Sequence, residues 1–451
     1  MFEDELRPNL YNFMVLINML VLSDNIHVCS ISNNPKLCLT VFWCWHKNTK
    51  KLRLYRNLIT AAIPALTNIL IHQQLADRVV PRLLRSNKKW GSKDRRFLAY
   101  TIYEVVRWYR LYYELLGYQP RSEEDWWQLL GIHWLLEGQD LPPWEQFEGL
   151  DKAAILTRHE ALKENRAIAQ AIPDWLDQLG HQAIGEHWAA CLAASNQTAP
   201  LTLRANTLKT TREELVGHLD KKGVQALLMS ELPDALEVPK RQKLTQLPSY
   251  ERGYFEIQDG ASQQVAPFLQ AEAGMTVVDA CAGAGGKSLH LAALMHNKGQ
   301  LIALDVEQAK LQELQKRAKR AAVSILETQL IEGASTISQL YNSADRLLLD
   351  VPCSGLGTLR RSPQIKWRLQ PDFLQEIQAT QQKILQEYSP ICKVGGLMVY
   401  ATCSILPSEN QEQVQQFLES PAGAAFELLD ERQLWPQDGG DGFYMALLRR
   451  G

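Results

Sequence analysis

The sequence predicts a mainly parallel, doubly wound α/β sheet in its C-terminal part, preceded by an all-helical domain and a small α/β module. Three observations predict it. After residue 250, short apolar runs alternate with amphipathic helical stretches. A glycine-rich turn follows the first of these runs, and Asp279, Asp305, Asp350 and Cys403 end or follow runs of the same kind. Ahead of them, from Leu54, apolar residues recur at three-and-four spacing.

With 451 residues, 46% hydrophobic and 22% charged, the chain has room for two or three cores and an ordinary globular composition. A net charge of −2 gives no overall attraction to nucleic acid. Residues 1–53 show no clean period and are read as an atypical, disordered N-terminal extension, such as an over-extended translation start would add. Its apolar run 12–22 is too short to span a bilayer and contains Asn12 and Asn18. The acidic FEDELR before it is unlike the start of a signal peptide, and no membrane contact is expected. Eight cysteines (Cys29, Cys38, Cys44, Cys191, Cys281, Cys353, Cys392 and Cys403) suit neither a disulfide framework nor paired zinc ligands, and Cys29, Cys38, Cys44 and His46, which could be read as a metal cluster, have irregular gaps. Reduced thiols in a cytoplasmic protein fit them better, and no metal is expected.

Residues 54–195 read as the all-helical domain. LITAAIPALTNILIHQQLADRVVPRLLRS and KDRRFLAYTIYEVVRWYRLYYELLG are its two long helical runs, the second ended by Gly117 and Pro120. Residues 124–195 continue as Trp-rich amphipathic pieces whose aromatics belong to a core. Between 78 and 110, ten bases meet only Asp94 and Glu104, a local excess of eight positive charges. Such a patch either neutralises nucleic-acid phosphates or is a solvated helix face. Arg85, Lys88, Lys89 and Arg95 are its candidate RNA contacts, with Arg361 added from later in the chain.

NQTAP (196–200) reads as a linker, and 200–250 as the small α/β module. There, LTLRANTL alternates like a strand, TREELVGHLDKKG is a helix opened by Thr211 and closed by Gly223, and ALEVP is a strand. The sheet domain is 251–451. Its strands are expected at 276–280, 301–306, 328–332, 346–351, 397–403 and 443–449, with helices at 287–297, 307–321, 371–392 and 408–419. In such sheets ligands bind beyond the carboxyl ends of the strands.

VVDACAGAGGKSLHLA (277–292) approximates two nucleotide motifs and satisfies neither. A P-loop needs glycine where Cys281 stands before Gly286-Lys287-Ser288. A dinucleotide loop accepts Gly283 and Gly285 but needs glycine at Ser288. Asp279 would meet a triphosphate with negative charge, whereas Asp305, about twenty residues past the loop, suits a ribose hydroxyl pair. A cationic ligand with a ribose and no phosphate chain, S-adenosylmethionine, fits both acids. Glu332, ending the third strand, is expected to line the adenosine end.

LLLDVPCSGLGTLRR and VYATCS each bring a cysteine to the functional edge of the sheet. Cys191 and Cys392 are read as small core hydrophobes. Cys353 and Cys403, with Asp350 close by, suit methylation of a carbon that has no nucleophilicity of its own, such as carbon 5 of a pyrimidine. A thiolate adds to carbon 6, and carbon 5 then attacks the methyl group. Asp350 is expected to hydrogen-bond the ring, and Lys287 to assist the local field.

Together, DACAGAGGKS, LDVPCSGLGTLRRSPQIKW and YATCSILPSENQEQV resemble the Sun/Fmu (Nop/Sun) family of RNA cytosine-5 methyltransferases, as do GYFEIQDGASQQVAPFL and DGFYMALL. The resemblance covers 200–451. Residues 54–195 resemble, by pattern, the NusB-like RNA-binding domain of the bacterial branch that acts on small-subunit ribosomal RNA. The resemblance implies a class I methyltransferase fold, S-adenosylmethionine as cofactor, and an RNA substrate, expected to be 16S ribosomal RNA, for a monomeric enzyme. It implies Cys403 as nucleophile, Cys353 in product release, and a cofactor site of Cys281, Ala282, Gly283, Ala284, Gly285, Gly286, Lys287, Asp305, Glu332 and Asp350. Two departures stand out: Gly283-Ala284 replaces the usual Ala-Pro, and Glu332 replaces the usual Asp. Transfer RNA as the substrate, or an idle RNA-binding assembly protein on the same fold, remain the alternatives. The broken glycine patterns argue against an ATPase or a nucleotide-dependent oxidoreductase.

Overall fold

Residues 53–451 are described by a computed structural model; the expectations for the N-terminal extension up to residue 52 fall outside them. The helical region runs α1 (Arg56–Leu70), α2 (Ala76–Ser86), α3 (Ser92–Leu116), α4 (Glu123–Leu136), α5 (Lys152–Leu162), α6 (Arg166–Ala169), α7 (Asp174–Ile184) and α8 (His187–Ser195). The first long helical run breaks in two, because residues 71–75 leave the helix and Gln73 takes φ 52°. α3 ends where its sequence says it should: Gly117 adopts a left-handed φ of 98° and its N–H caps Tyr113. Ser122 opens α4 by accepting from Asp125 N–H, and Asp125 bonds back, a capping box. The tryptophans of α4 are buried in one cluster with Leu66, Ile102 and Val106.

The small module is a four-stranded antiparallel sheet, order β2-β3-β1-β4, from β1 (Thr202–Ala205), β2 (Leu227–Leu228), β3 (Ala235–Glu237) and β4 (Phe255–Ile257). Its helix α9 (Arg212–Asp220) starts at the Thr211 cap with Glu214 completing the box. A one-turn helix α10 (Pro248–Glu251) leads into β4, so the last strand of this sheet comes from beyond residue 250.

The large sheet has seven strands in the order β10-β11-β9-β8-β5-β6-β7. They are β5 (Thr276–Asp279), β6 (Gln300–Asp305), β7 (Leu326–Leu330), β8 (Ala344–Asp350), β9 (Cys392–Thr402), β10 (Phe426–Leu434) and β11 (Phe443–Arg450). β5 pairs in parallel with β6 on one side and β8 on the other, and β8 with β9. β11 and β10 close the edge antiparallel. The helices are α11 (Gly260–Phe268), α12 (Gly286–Leu294), α13 (Gln308–Ala321), α14 (Ala334–Ser338), α15 (Ile365–Arg368), α16 (Pro371–Tyr388) and α17 (Gln411–Leu418).

Several elements differ from their expected limits. β10 lies outside the expected strands; six of its nine residues are exposed and four are charged, so this edge strand carries no continuous apolar run. α16 ends at Tyr388, not 392, because Pro390 cannot continue it, and Cys392 starts β9. β7 sits two residues earlier than expected, in the parallel register that pairs Leu301 with Leu326 and Asp305 with Leu330. α11, α14 and α15 also lie outside the expected helices.

The sheet's chain order reverses on either side of β5, so the crevice beyond its carboxyl end is the switch point where such folds bind ligands. The helical region reaches this edge. Trp188, Leu192 and Leu176 of α7 and α8 share a buried cluster with Leu356, Leu359, Ile405 and Leu406, which follow the two cysteine motifs. Lys366, fully buried, donates to Arg107 O and Gln170 O at 3.3 Å and to Asn196 Oδ1 at 2.7 Å, while Trp367 Nε1 donates to Val106 O at 2.7 Å. Among the described residues no helix is long and apolar enough to cross a membrane.

Candidate active site

The glycine loop joins β5 to α12. Gly283 and Gly285 take positive φ angles of 54° and 84°. Gly285 also lies so close to α13 that a Cβ there would overlap Leu314 Cδ1, so this position requires glycine twice over. The loop is tied from both sides. Gly283 N–H donates to Asp305 Oδ2 at 2.8 Å, and Arg317 Nη1 donates to Ala284 O at 2.6 Å. Arg317 is itself held by Glu256 at 2.9 Å, a partner that motif reading had not singled out.

Asp279 is fully buried. Its Oδ2 accepts from Ser288 Oγ at 2.6 Å, while Oδ1 has no protein partner. Burial, with the nearby Asp350 charge, pushes its carboxyl up to about 7 despite the Ser288 bond. Asp305, buried at the end of β6, also accepts from Glu307 N–H at 2.8 Å. These residues fit a ligand with a cationic end and a ribose: a buried carboxylate oxygen lacks a donor, and a second acid stands on the neighbouring strand.

Lys287 explains why the turn is not a P-loop. Its Nζ donates to Asp350 Oδ2 at 2.7 Å and lies 5.1 Å from the centre of the Phe443 ring. Burial alone would lower its pKa, but Asp350, Cys403 and Asp279 outweigh burial and hold it above the usual lysine value. The ammonium that a P-loop would turn to phosphates is therefore directed to the ends of β8 and β9.

There the two cysteines meet. β8 and β9 run side by side, and Cys353 Sγ lies 3.0 Å from Cys403 Sγ. The hydrogen bond to Cys403, then burial, raises the Cys353 thiol well above its ordinary pKa. Cys281 stands in the loop, and burial followed by Asp279 raises its thiol likewise. Glu332 is exposed two residues past β7.

Sequence reasoning missed Glu409, fully buried in the 3₁₀ turn after Cys403. Its Oε2 accepts from Ser354 N–H at 2.7 Å and from Gln381 Nε2 at 3.1 Å. Its Oε1 accepts from Ser354 Oγ and Ser404 Oγ, both at 2.5 Å. The signal was available: Cys-Ser-x-Leu occurs at 353–356 and again at 403–406. Each serine gives its hydroxyl hydrogen to Glu409, and each leucine enters the cluster with α7 and α8.

The expected RNA contacts separate into two groups. Arg85, Lys88 and Lys89 are exposed. Arg95 instead donates to Trp90 O and Asn87 O at 3.1 Å, closing the loop before α3. Arg361 is engaged by Asp259 and by Asp441 at 2.8 Å. Arg107 and Arg110 are buried and bonded inward, so the patch carries less surface charge than its sequence suggests.

The family model described as 16S rRNA methyltransferase RsmB/F matches residues 266–449, and that of the RsmF/B-like ferredoxin-like domain matches 172–245. The probable ribosomal RNA small subunit methyltransferase B of Synechocystis sp. is 34% identical over 363 residues, covering 72% of this chain and 81% of its own. The corresponding protein of Coxiella burnetii is 31% identical over 426 residues, covering 85% of this chain and 98% of its own. A crystal structure of a methyltransferase homolog protein from Pyrococcus horikoshii superposes with a TM-score of 0.57 at 26% identity, covering 64% of this chain and 98% of that one.

Proposed function

The chain belongs to the RsmB/F family of 16S rRNA methyltransferases, and from that membership we propose that it transfers a methyl group from S-adenosylmethionine to carbon 5 of a cytosine in small-subunit ribosomal RNA. The observation that carries this reading is the pair of thiols 3.0 Å apart beside the Lys287–Asp350 ion pair.

When bound, S-adenosylmethionine supplies an electrophilic methyl group. The loop 281–287 with Asp279 and Asp305 would hold it, Asp279 facing its ammonium and Asp305 its ribose, with Glu332 toward the adenosine end. The Cys403 thiolate adds to carbon 6 of the ring, and carbon 5 becomes enamine-like and nucleophilic. Asp350 hydrogen-bonds the ring, and the Lys287 ammonium steadies the negative charge that develops there. After methyl transfer the carbon 5 proton leaves, the carbon 5–carbon 6 double bond returns, and the Cys403 sulfur is expelled.

Cys353 serves this last step. Before attack it is a hydrogen-bonded thiol, and the first cause of its raised pKa is Cys403. Once Cys403 is bound to carbon 6, the hydrogen bond between the two sulfurs is given up; Cys353 loses its proton to solvent, and its thiolate takes the proton that leaves carbon 5. The exposed Arg85, Lys88 and Lys89 supply phosphate contacts.

Bisulfite sequencing of RNA from a deletion strain tests the substrate. One cytosine of small-subunit ribosomal RNA should lose its protection. Loss at a transfer RNA position, with ribosomal RNA unchanged, would assign the chemistry to transfer RNA.

A further inference from the structure

We propose that Glu409 is a positioning residue that sets Cys353 against Cys403 and thereby governs release of the covalent RNA adduct. The proposal rests on the cysteine chemistry above.

The two cysteine loops depend on Glu409 unequally. Cys403 follows directly on β9, and its loop has anchors of its own. Asn410 Nδ2 donates to Ser404 O at 3.2 Å, and Thr402 Oγ1 donates to Asn410 Oδ1 at 2.6 Å. Ser404 brings a single hydroxyl bond to Glu409. Cys353 comes three residues after the end of β8, beyond Pro352. Ser354 next to it directs both its backbone N–H and its hydroxyl to Glu409, and Gln381 links Pro352 O to the same carboxylate. Both Glu409 oxygens are thus occupied by donors, so the site specifies an acceptor at each oxygen.

Glutamine has the same shape but turns one of those acceptors into a donor. On the Oε1 side the serine hydroxyls can turn and accept from an amide. On the Oε2 side the Ser354 N–H cannot. With the amide nitrogen at Oε2 the Ser354 N–H loses its acceptor; with it at Oε1 the bonds to the serine hydroxyls reverse, and in both cases the charge-assisted bonds to Ser354 become weaker neutral ones, while Cys403 keeps its strand and Asn410. Glu409→Gln therefore loosens Cys353 more than Cys403: the adduct forms and is released slowly.

The test uses the full-length enzyme with a 16S ribosomal RNA transcript and labelled S-adenosylmethionine. For Glu409→Gln, single-turnover methyl transfer should stay within about 3-fold of wild type, while multiple turnover falls about 100-fold and a covalent RNA–protein band accumulates, the scale expected for a small misplacement of a reacting group. Ser354→Ala should act in the same direction, and Ser404→Ala should not. Without RNA, diamide should close a Cys353–Cys403 disulfide in wild type and do so about 10-fold more slowly in Glu409→Gln, because the rate depends on access and approach of the two sulfurs. Adduct release and disulfide closure at wild-type rates would overturn the proposal, as would single- and multiple-turnover rates falling together. Should Glu409→Gln fail to fold by circular dichroism, Ser354→Ala decides by the same readouts. A wild-type enzyme that methylates without an adduct would remove the cysteine chemistry, while the diamide comparison still decides the role of Glu409.

Discussion

The sulfurs of Cys353 and Cys403 stand 3.0 Å apart, although fifty residues separate them in the chain. Parallel pairing of β8 with β9 brings the two loops to one edge, and the Lys287–Asp350 pair faces the same edge from the glycine loop.

Lys287 joins the two halves of this site. Lys287→Met keeps the bulk of the side chain and removes the charge beside Asp350. The kcat/KM for methyl transfer should fall on the order of 100-fold, the usual effect of deleting one preorganised electrostatic partner. A change of less than about 3-fold would exclude Lys287 from the chemistry.

Asp279 predicts a pH dependence. Its folded pKa of about 7 lies above the ordinary 3.8, so the folded protein holds a proton that the unfolded chain has lost. Stability should therefore fall as pH rises through the window between those two values, and Asp279→Asn should flatten the slope in urea titrations. Cofactor affinity should run the other way, rising as Asp279 ionises toward pH 8. Calorimetric binding constants that do not change across this range would contradict its assignment to the cofactor's cationic end.

The loop glycines should differ in cost. At Gly283 the backbone has φ 54° but open space, so Gly283→Ala should cost about 1–2 kcal/mol of stability. At Gly285 a methyl group would also strike Leu314, and Gly285→Ala should cost several kcal/mol and abolish cofactor binding. Thermal melts of the two variants check the order.

Reversing the charges of Arg85, Lys88 and Lys89 should weaken RNA binding and flatten its dependence on salt. Arg95→Ala should instead lower stability by about 1–3 kcal/mol, since its guanidinium holds Trp90 O and Asn87 O. Unchanged RNA binding in the triple reversal would return the patch to a solvated helix face.

The strands that bear Asp279, Asp305 and Asp350 were legible because buried parallel strands are nearly continuous apolar runs, and their ends carry the motifs. β10 was not, because an exposed edge strand has no such run. Within the site, the cysteines and the glycine loop were readable as local motifs. Glu409 was not, because its meaning lies in Ser354, fifty-five residues away, and in the fold that brings them together. Arg95 and Arg361 show the same limit: a basic residue in sequence does not reveal whether its partners are phosphates or the protein's own carbonyls and carboxylates.

Mixing 16S ribosomal RNA and labelled S-adenosylmethionine with each cysteine variant, and resolving protein-bound from free RNA on a denaturing gel, tests the central claim most directly. Cys403→Ala should give neither methylated RNA nor adduct, and Cys353→Ala should accumulate a covalent, methylated RNA–protein complex. Methylation by Cys403→Ala, with none by Cys353→Ala, would reverse the roles assigned to the two thiols.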